Sequence, residues 1–243
     1  MFLTGLPRSG TNMLVRGLGA SPEVEVHNEG DRAAFRRYRL RPSPVVRDLV
    51  VRSGHRFVLF KPLLDCHRIP ELLDDLGTAA PPKAVWAYRD VDGRVHSAIS
   101  KFGSAATTAL SEIASGRGTD WWQAQGLSDE SMDMIRAVPW EQASPADGVA
   151  LLWCVKNRMF FEKGLDRRAD VHLVSYNDLV REPAETMKRL CDFLGVAWDS
   201  RLCAHIDHRA LQGRDVPALD PRLRELCDAL TAQLDTAVAE QPR

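Results

Sequence analysis

From Leu3 to Leu14 the chain reads Leu-Thr-Gly-Leu-Pro-Arg-Ser-Gly-Thr-Asn-Met-Leu. This is a short apolar strand, a turn bounded by Gly5 and Gly10, and the start of a helix. In such a turn successive backbone N–H groups converge on one concavity, and the helix N-terminus adds partial positive charge. The segment therefore predicts an anion site and an α/β domain built around it. The spacing of Gly5 and Gly10 matches the phosphate-loop pattern GxxxxGK[ST]. The lysine position, however, holds Thr11, followed by Asn12, and the fixed cation is Arg8, inside the loop. In nucleoside triphosphatases that lysine reaches the terminal phosphates. Its absence leaves the loop poorly equipped for ATP hydrolysis, and a strand-turn-helix whose glycines only make the turn is the plainer reading of the same residues.

The rest of the chain extends the α/β pattern. Residues 56–60, 84–88 and 171–175 are apolar, β-branched or aromatic runs bounded by turn signals, and Phe2-Leu3-Thr4 is a shorter one. Continuous runs of this kind suit a parallel sheet covered on both faces. Helical patterns fall between them at 11–18, 69–76 and 146–165. Glu182 to Gly195 is a further helix, with Pro183 in its first turn, Met187, Leu190, Cys191 and Leu194 as its stripe, and Gly195 to end it. Leu223, Leu226, Leu230, Leu234 and Val238 predict a last amphipathic helix. The expected architecture is a three-layer α/β fold with a central, mostly parallel sheet flanked by helices.

At 243 residues the chain suits one sizeable domain, 1–243, since domains run to roughly 100–200 residues. A Gly-, Ser- and Thr-rich stretch near 104–144, holding Trp121, Trp122 and Trp140, reads as an insertion in that domain. Thirty-two Lys and Arg against thirty-three Asp and Glu leave a net charge of −1, without the basic surplus of a general nucleic-acid or anionic-membrane binder. Any anion is therefore held by a local site. No run approaches the ~18 apolar residues of a membrane span, and the motif begins at once without a signal peptide, which predicts a cytoplasmic protein. Five cysteines without CxxC spacing predict buried thiols rather than a metal site or disulfide framework. The excess of Arg over Lys hints at a bacterial source.

Four segments, in order, carry a resemblance. Gly5-Leu6-Pro7-Arg8-Ser9-Gly10-Thr11 resembles the 5′-phosphosulfate loop of sulfotransferases that use 3′-phosphoadenylyl sulfate (PAPS). Tyr88-Arg89-Asp90 through Ser97 is similar to their second signature, a strand ending in Arg-Asp with a serine eight residues after the arginine; Val91 stands where the family has proline. Ser175-Tyr176-Asn177-Asp178-Leu179 looks like the family's Tyr-Glu-Asp-Leu segment, with Asn177 replacing Glu. Phe60-Lys61-Pro62 is similar to the strand-end lysine of carbohydrate and tyrosylprotein sulfotransferases. Together the matches run from about residue 2 to 196.

The resemblance implies that Arg8, Ser9, Gly10, Thr11 and Asn12 hold the 5′-phosphosulfate, that Arg89 and Ser97 bind the 3′-phosphate, and that Tyr176 lies beside the adenine. It implies no metal. Lys61 and Arg8 are the candidates for meeting charge on the leaving oxygen. Glu29, twenty-one residues after Arg8, is placed like the catalytic glutamate of tyrosylprotein and many bacterial sulfotransferases. His27 and His96 are alternative bases, and an acid at the start of a helix is the bland reading of Glu29. Arg214 is a candidate to close over the cofactor. The acceptor expected is a hydroxyl or amine of a small molecule or glycan, with the tryptophans of the 104–144 segment either lining its pocket or packing the insertion. The oligomeric state is open. Two other readings stand: a phosphate-loop kinase of a small metabolite, opposed by Thr11 and by the lack of a clear Walker B strand, and a non-catalytic nucleotide-binding module.

Overall fold

The computed structural model describes residues 1–207 and 217–241; Arg214 lies outside them. β1 (Phe2–Gly5) leads through the glycine turn into α1 (Thr11–Leu18), followed by β2 (Val24–His27) and a small hairpin of β3 (Phe35–Arg36) and β4 (Arg39–Leu40). Then come α2 (Ser43–Arg52), β5 (Phe57–Phe60), a 3₁₀ turn at Leu63–Arg68 and α3 (Ile69–Asp75). β6 (Ala84–Tyr88) runs into α4 (Val91–Phe102), and three helices follow: α5 (Ala105–Ala114), α6 (Asp129–Arg136) and α7 (Pro145–Glu162). β7 (Val171–Ser175), α8 (Tyr176–Arg181), α9 (Pro183–Leu194) and α10 (Pro221–Ala239) complete the order.

The main sheet is ordered β2-β5-β1-β6-β7, and every pairing is parallel. The expected parallel α/β fold is therefore the one observed. Neighbouring residues on each strand serve opposite faces, as the two-residue period of a strand requires. Phe2, Phe60 and Trp86 face a core built with α3, α4, α7 and α10. Leu3, Leu59 and Val85 face a second core built with α1, α8 and α9. Burial on both sides is why these strands read as unbroken apolar runs.

The four expected strands and the punctuated helices form within a few residues of their anticipated limits. α9 ends on Gly195 at φ 81°, a left-handed residue that suits glycine. Other elements carry weak local signals. β2 is a four-residue edge strand whose Glu25 is partly exposed. The 104–144 segment contains two helices, α5 and α6, which bury Leu110, Ile113 and Ile135 in the first core. It is fastened to α7 by Lys156, whose buried ammonium donates to the carbonyls of Trp122 at 2.8 Å and Gln125 at 2.9 Å. Burial pushes that ammonium down to about 8. α7 itself starts at a capping box made by Ser144 and Asp147. Cys66, Cys154, Cys191 and Cys227 are buried free thiols and Cys203 is a half-buried one.

One pH dependence follows from the fold. His172 on β7 stacks on Phe193 at 5.0 Å, and burial, then the nearby Arg189, lowers its imidazole from 6.5 to about 4. Between these values the unfolded chain binds a proton that the native chain refuses, so stability falls as pH drops from 6.5 to 4. The His172 contribution is about 3 kcal/mol. Urea midpoints across that window are expected to fall for the wild type and to flatten measurably in His172→Asn; parallel curves would remove His172 as a cause.

Candidate active site

Because all five strands run parallel, their C-terminal ends lie along one edge of the sheet. The chain switches sides at β1, which lies between β5 and β6, and in open α/β sheets ligands collect outside the strand ends at such a switch point. Gly5 ends β1, Lys61 follows β5, Arg89 follows β6, Tyr176 follows β7, and Glu29 lies two residues past β2. One edge thus gathers residues spread over most of the chain.

The turn after β1 has the strained geometry of an anion cradle. Gly5, Arg8 and Gly10 have φ of 131°, 78° and 84°. A side chain at Gly5 would place Cβ 2.1 Å from the carbonyl oxygen of Ala87, so only glycine lets β1 end this close to β6. At Gly10 a Cβ would lie 2.6 Å from the Tyr176 ring. That ring, 6% exposed, is wedged between the loop and Arg89, whose guanidinium stacks over it at 4.1 Å. Tyr176 begins α8, capped by the Ser175 side chain.

Arg89 is buried, and its Nε and one terminal nitrogen have no hydrogen-bond partner among the described residues; the other terminal nitrogen donates to the Arg8 carbonyl at 3.5 Å. Its own carbonyl accepts a bond from the Trp153 indole at 2.8 Å, which anchors the strand end to α7. Ser9 Oγ is likewise buried and unpartnered. Arg8 is exposed at the loop tip, and its Nε donates to Ser97 Oγ on α4 at 2.9 Å. Arg8 thus links the residues expected to hold the two ends of one ligand. Buried donors without partners are costly. Two sets of them, in the loop and at Arg89, fit a ligand that brings two anionic groups.

A second cluster lies beside the loop. Lys61, 5% exposed, extends its ammonium to Glu29 Oε2 at 2.6 Å and to Asn12 Oδ1 at 2.6 Å. Thr11, at the first position of α1, is buried. Glu29 sits in a turn before the β3–β4 hairpin, so it is not the N-terminal acid of a helix. His27 is clamped: Nδ1 lies 2.5 Å from Asp31 Oδ2, Nε2 lies 3.2 Å from Glu25 Oε1, and the ring stacks on Phe60 at 5.0 Å. The His27 contact holds the Asp31 carboxyl below its ordinary range. His96 is half-buried on α4. Of the three tryptophans, Trp121 is 41% exposed, Trp140 donates to the Ile135 carbonyl within its own segment, and Trp122 borders a cavity behind the loop. Among the described residues no cluster of three or more His, Cys, Asp or Glu is placed to hold a metal ion, and no helix is long and apolar enough to cross a membrane.

One charged residue at the site escaped the motif reading. Arg94 on α4 is 3% exposed and borders the same cavity. Its signal was present in the helical period: Val91, Val95 and Ala98 form the buried stripe of α4, and Arg94 falls within it.

A parallel sheet with a phosphate loop at its switch point and buried cations at neighbouring strand ends defines a phosphate-loop fold. The chain belongs to the sulfotransferase family: the family model for the sulfotransferase domain matches residues 1–214. Among solved structures, 96% of the chain matches 96% of the sulfotransferase domain from the curacin biosynthetic pathway, at 16% identity and TM-score 0.57. It is similar over 99% of its length to 96% of a sulfotransferase from Alicyclobacillus acidocaldarius, at 18% identity and TM-score 0.53. The sulfotransferase domain from the Synechococcus PCC 7002 olefin synthase matches over 100% of this chain and 94% of its own, at 18% identity and TM-score 0.51. These likenesses concern the fold. No curated protein gives a significant sequence match.

Proposed function

We propose that this sulfotransferase uses PAPS to sulfate a hydroxyl or amine of a small molecule or glycan, with Glu29 as general base. The observation that carries the reading is the pair of buried donor sets without partners among the described residues, Ser9 Oγ in the loop and two nitrogens of the Arg89 guanidinium at the end of β6. Ser9, Gly10, Thr11 and Asn12, with Arg8, hold the 5′ end, the backbone donors adding to the partial charge of α1. Arg89 and Ser97 take the 3′-phosphate, and Tyr176 sets the Arg89 plane and borders the nucleoside. PAPS when bound supplies the sulfuryl group: the acceptor oxygen bonds to sulfur as the bond from sulfur to the phosphate oxygen breaks, releasing adenosine 3′,5′-bisphosphate (PAP). Glu29 accepts the acceptor's proton. Lys61 and Arg8 meet the charge that grows on the leaving oxygen. Asn12 keeps the Lys61 ammonium beside the loop while Glu29 is engaged elsewhere.

Calorimetric titration with PAP, against ATP plus magnesium, tests the cofactor. Micromolar or tighter binding of PAP without metal is expected. Binding of ATP with magnesium and none of PAP would put the kinase reading in its place.

A further inference from the structure

Behind the phosphate loop lies a cavity of about 270 Å³ bordered by Pro7, Leu64, Phe102, Trp122, Leu152 and Arg94. Its walls are apolar except at Arg94 and the neutral amide of Gln123, so Arg94 is the one charged group that lines it. Within the described residues that guanidinium makes one long hydrogen bond, 3.5 Å to the Val149 carbonyl; its Nε has no partner, and no carboxylate lies within ion-pair distance. A buried cation without a counter-charge costs stability, and burial with the nearby Arg8 charge pushes Arg94 down to about 10. It therefore stays protonated at neutral pH. Nothing in the helix requires a charge here, since Val91, Val95 and Ala98 beside it pack as an ordinary apolar stripe.

We propose that this cavity is the acceptor pocket and that the acceptor is an apolar hydroxy acid, its carboxylate paired with Arg94. A largely apolar wall with one buried cation suits a largely apolar body carrying one anionic group. Pro7 and Leu64 place the pocket rim beside Arg8 and three residues from Lys61, where the hydroxyl end of such a molecule meets Glu29. This rests on the sulfotransfer reading above, but its recognition step is separable from it.

The test uses 3-(4-hydroxyphenyl)propanoate and 10-hydroxydecanoate, each beside its methyl ester, titrated into the protein with and without PAP and followed by tryptophan fluorescence and calorimetry. At least one acid is expected to bind about 10-fold or more tightly than its ester, and Arg94→Met to erase that preference while leaving PAP affinity unchanged. In the ligand-free protein Arg94→Met is expected to raise Tm by about 3 °C or more, because it removes an uncompensated buried charge. Equal affinities for every acid and ester, an acid preference that survives Arg94→Met, a loss in Arg94→Met of PAP binding that the wild type shows, or a variant that melts earlier or fails to fold would each overturn the proposal. Acid preference without PAP binding would instead keep Arg94 as the acceptor's anchor and overturn the PAPS reading.

Discussion

Replacing Glu29 with glutamine is expected to lower kcat by about 10²–10⁴-fold while leaving PAP affinity within about threefold of wild type. Glutamine keeps the size of the side chain and an oxygen that accepts from Lys61, now 2.6 Å from Glu29 Oε2. Lys61 also keeps its 2.6 Å bond to Asn12. What disappears is the carboxylate proposed to take the acceptor's proton. A Glu29 that served only to neutralise Lys61 would behave otherwise: the variant would lose stability, from an uncompensated buried ammonium, yet turn over normally. Wild-type kcat in Glu29→Gln therefore removes Glu29 as the base. The clamped ring of His27, with a carboxylate facing each nitrogen, is less suited to replace it.

Arg89→Ala is expected to weaken PAP binding by about 10³-fold, the loss typical when one partner of a buried charge-assisted pair is cut away. kcat/KM should fall in proportion. The guanidinium presents two nitrogens without partners among the described residues, and it stacks on the Tyr176 ring. Lysine supplies charge without the planar fork, so Arg89→Lys should recover only part of the affinity. Folding should survive Arg89→Ala, because the Trp153 bond that docks α7 goes to the Arg89 carbonyl and not to its side chain. A variant that is folded and binds PAP as the wild type does would take the 3′-phosphate away from Arg89.

The predictions at Arg89 and Arg94 share a physical origin. Both are buried guanidiniums on the β6–α4 segment, and neither has a carboxylate partner among the described residues. The surface arginines behave differently: Arg168 is forked between Asp74 and Asp170, and Arg201 is held by Asp199. The contrast separates the cations proposed to bind ligands from those paired with carboxylates among the described residues.

The amino-acid sequence by itself determined the features that depend on neighbours a few residues apart. The turn from Gly5 to Gly10, the strands flanked by turn residues, and the stop of α9 at Gly195 are written in local sterics and capping. The unbroken apolar runs also showed that β5 and β6 are buried on both faces, though not against what. That signal was weakest where elements are short or poor in apolar residues. The edge strand β2 has four residues, and α5 buries only Ala109, Leu110 and Ile113 from a run rich in alanine and threonine. Tertiary structure alone decided the partnerships at the site. Lys61 meets both Asn12 and Glu29 because β5 lies between β1 and β2, and Arg8 reaches Ser97 because β6 is on the other side of β1. Strand order is set by burial summed over the whole sheet, and no local pattern encodes it. The same holds for Arg94, an ordinary charged residue in the sequence, which became a buried cation beside a cavity only when α4 packed against α7.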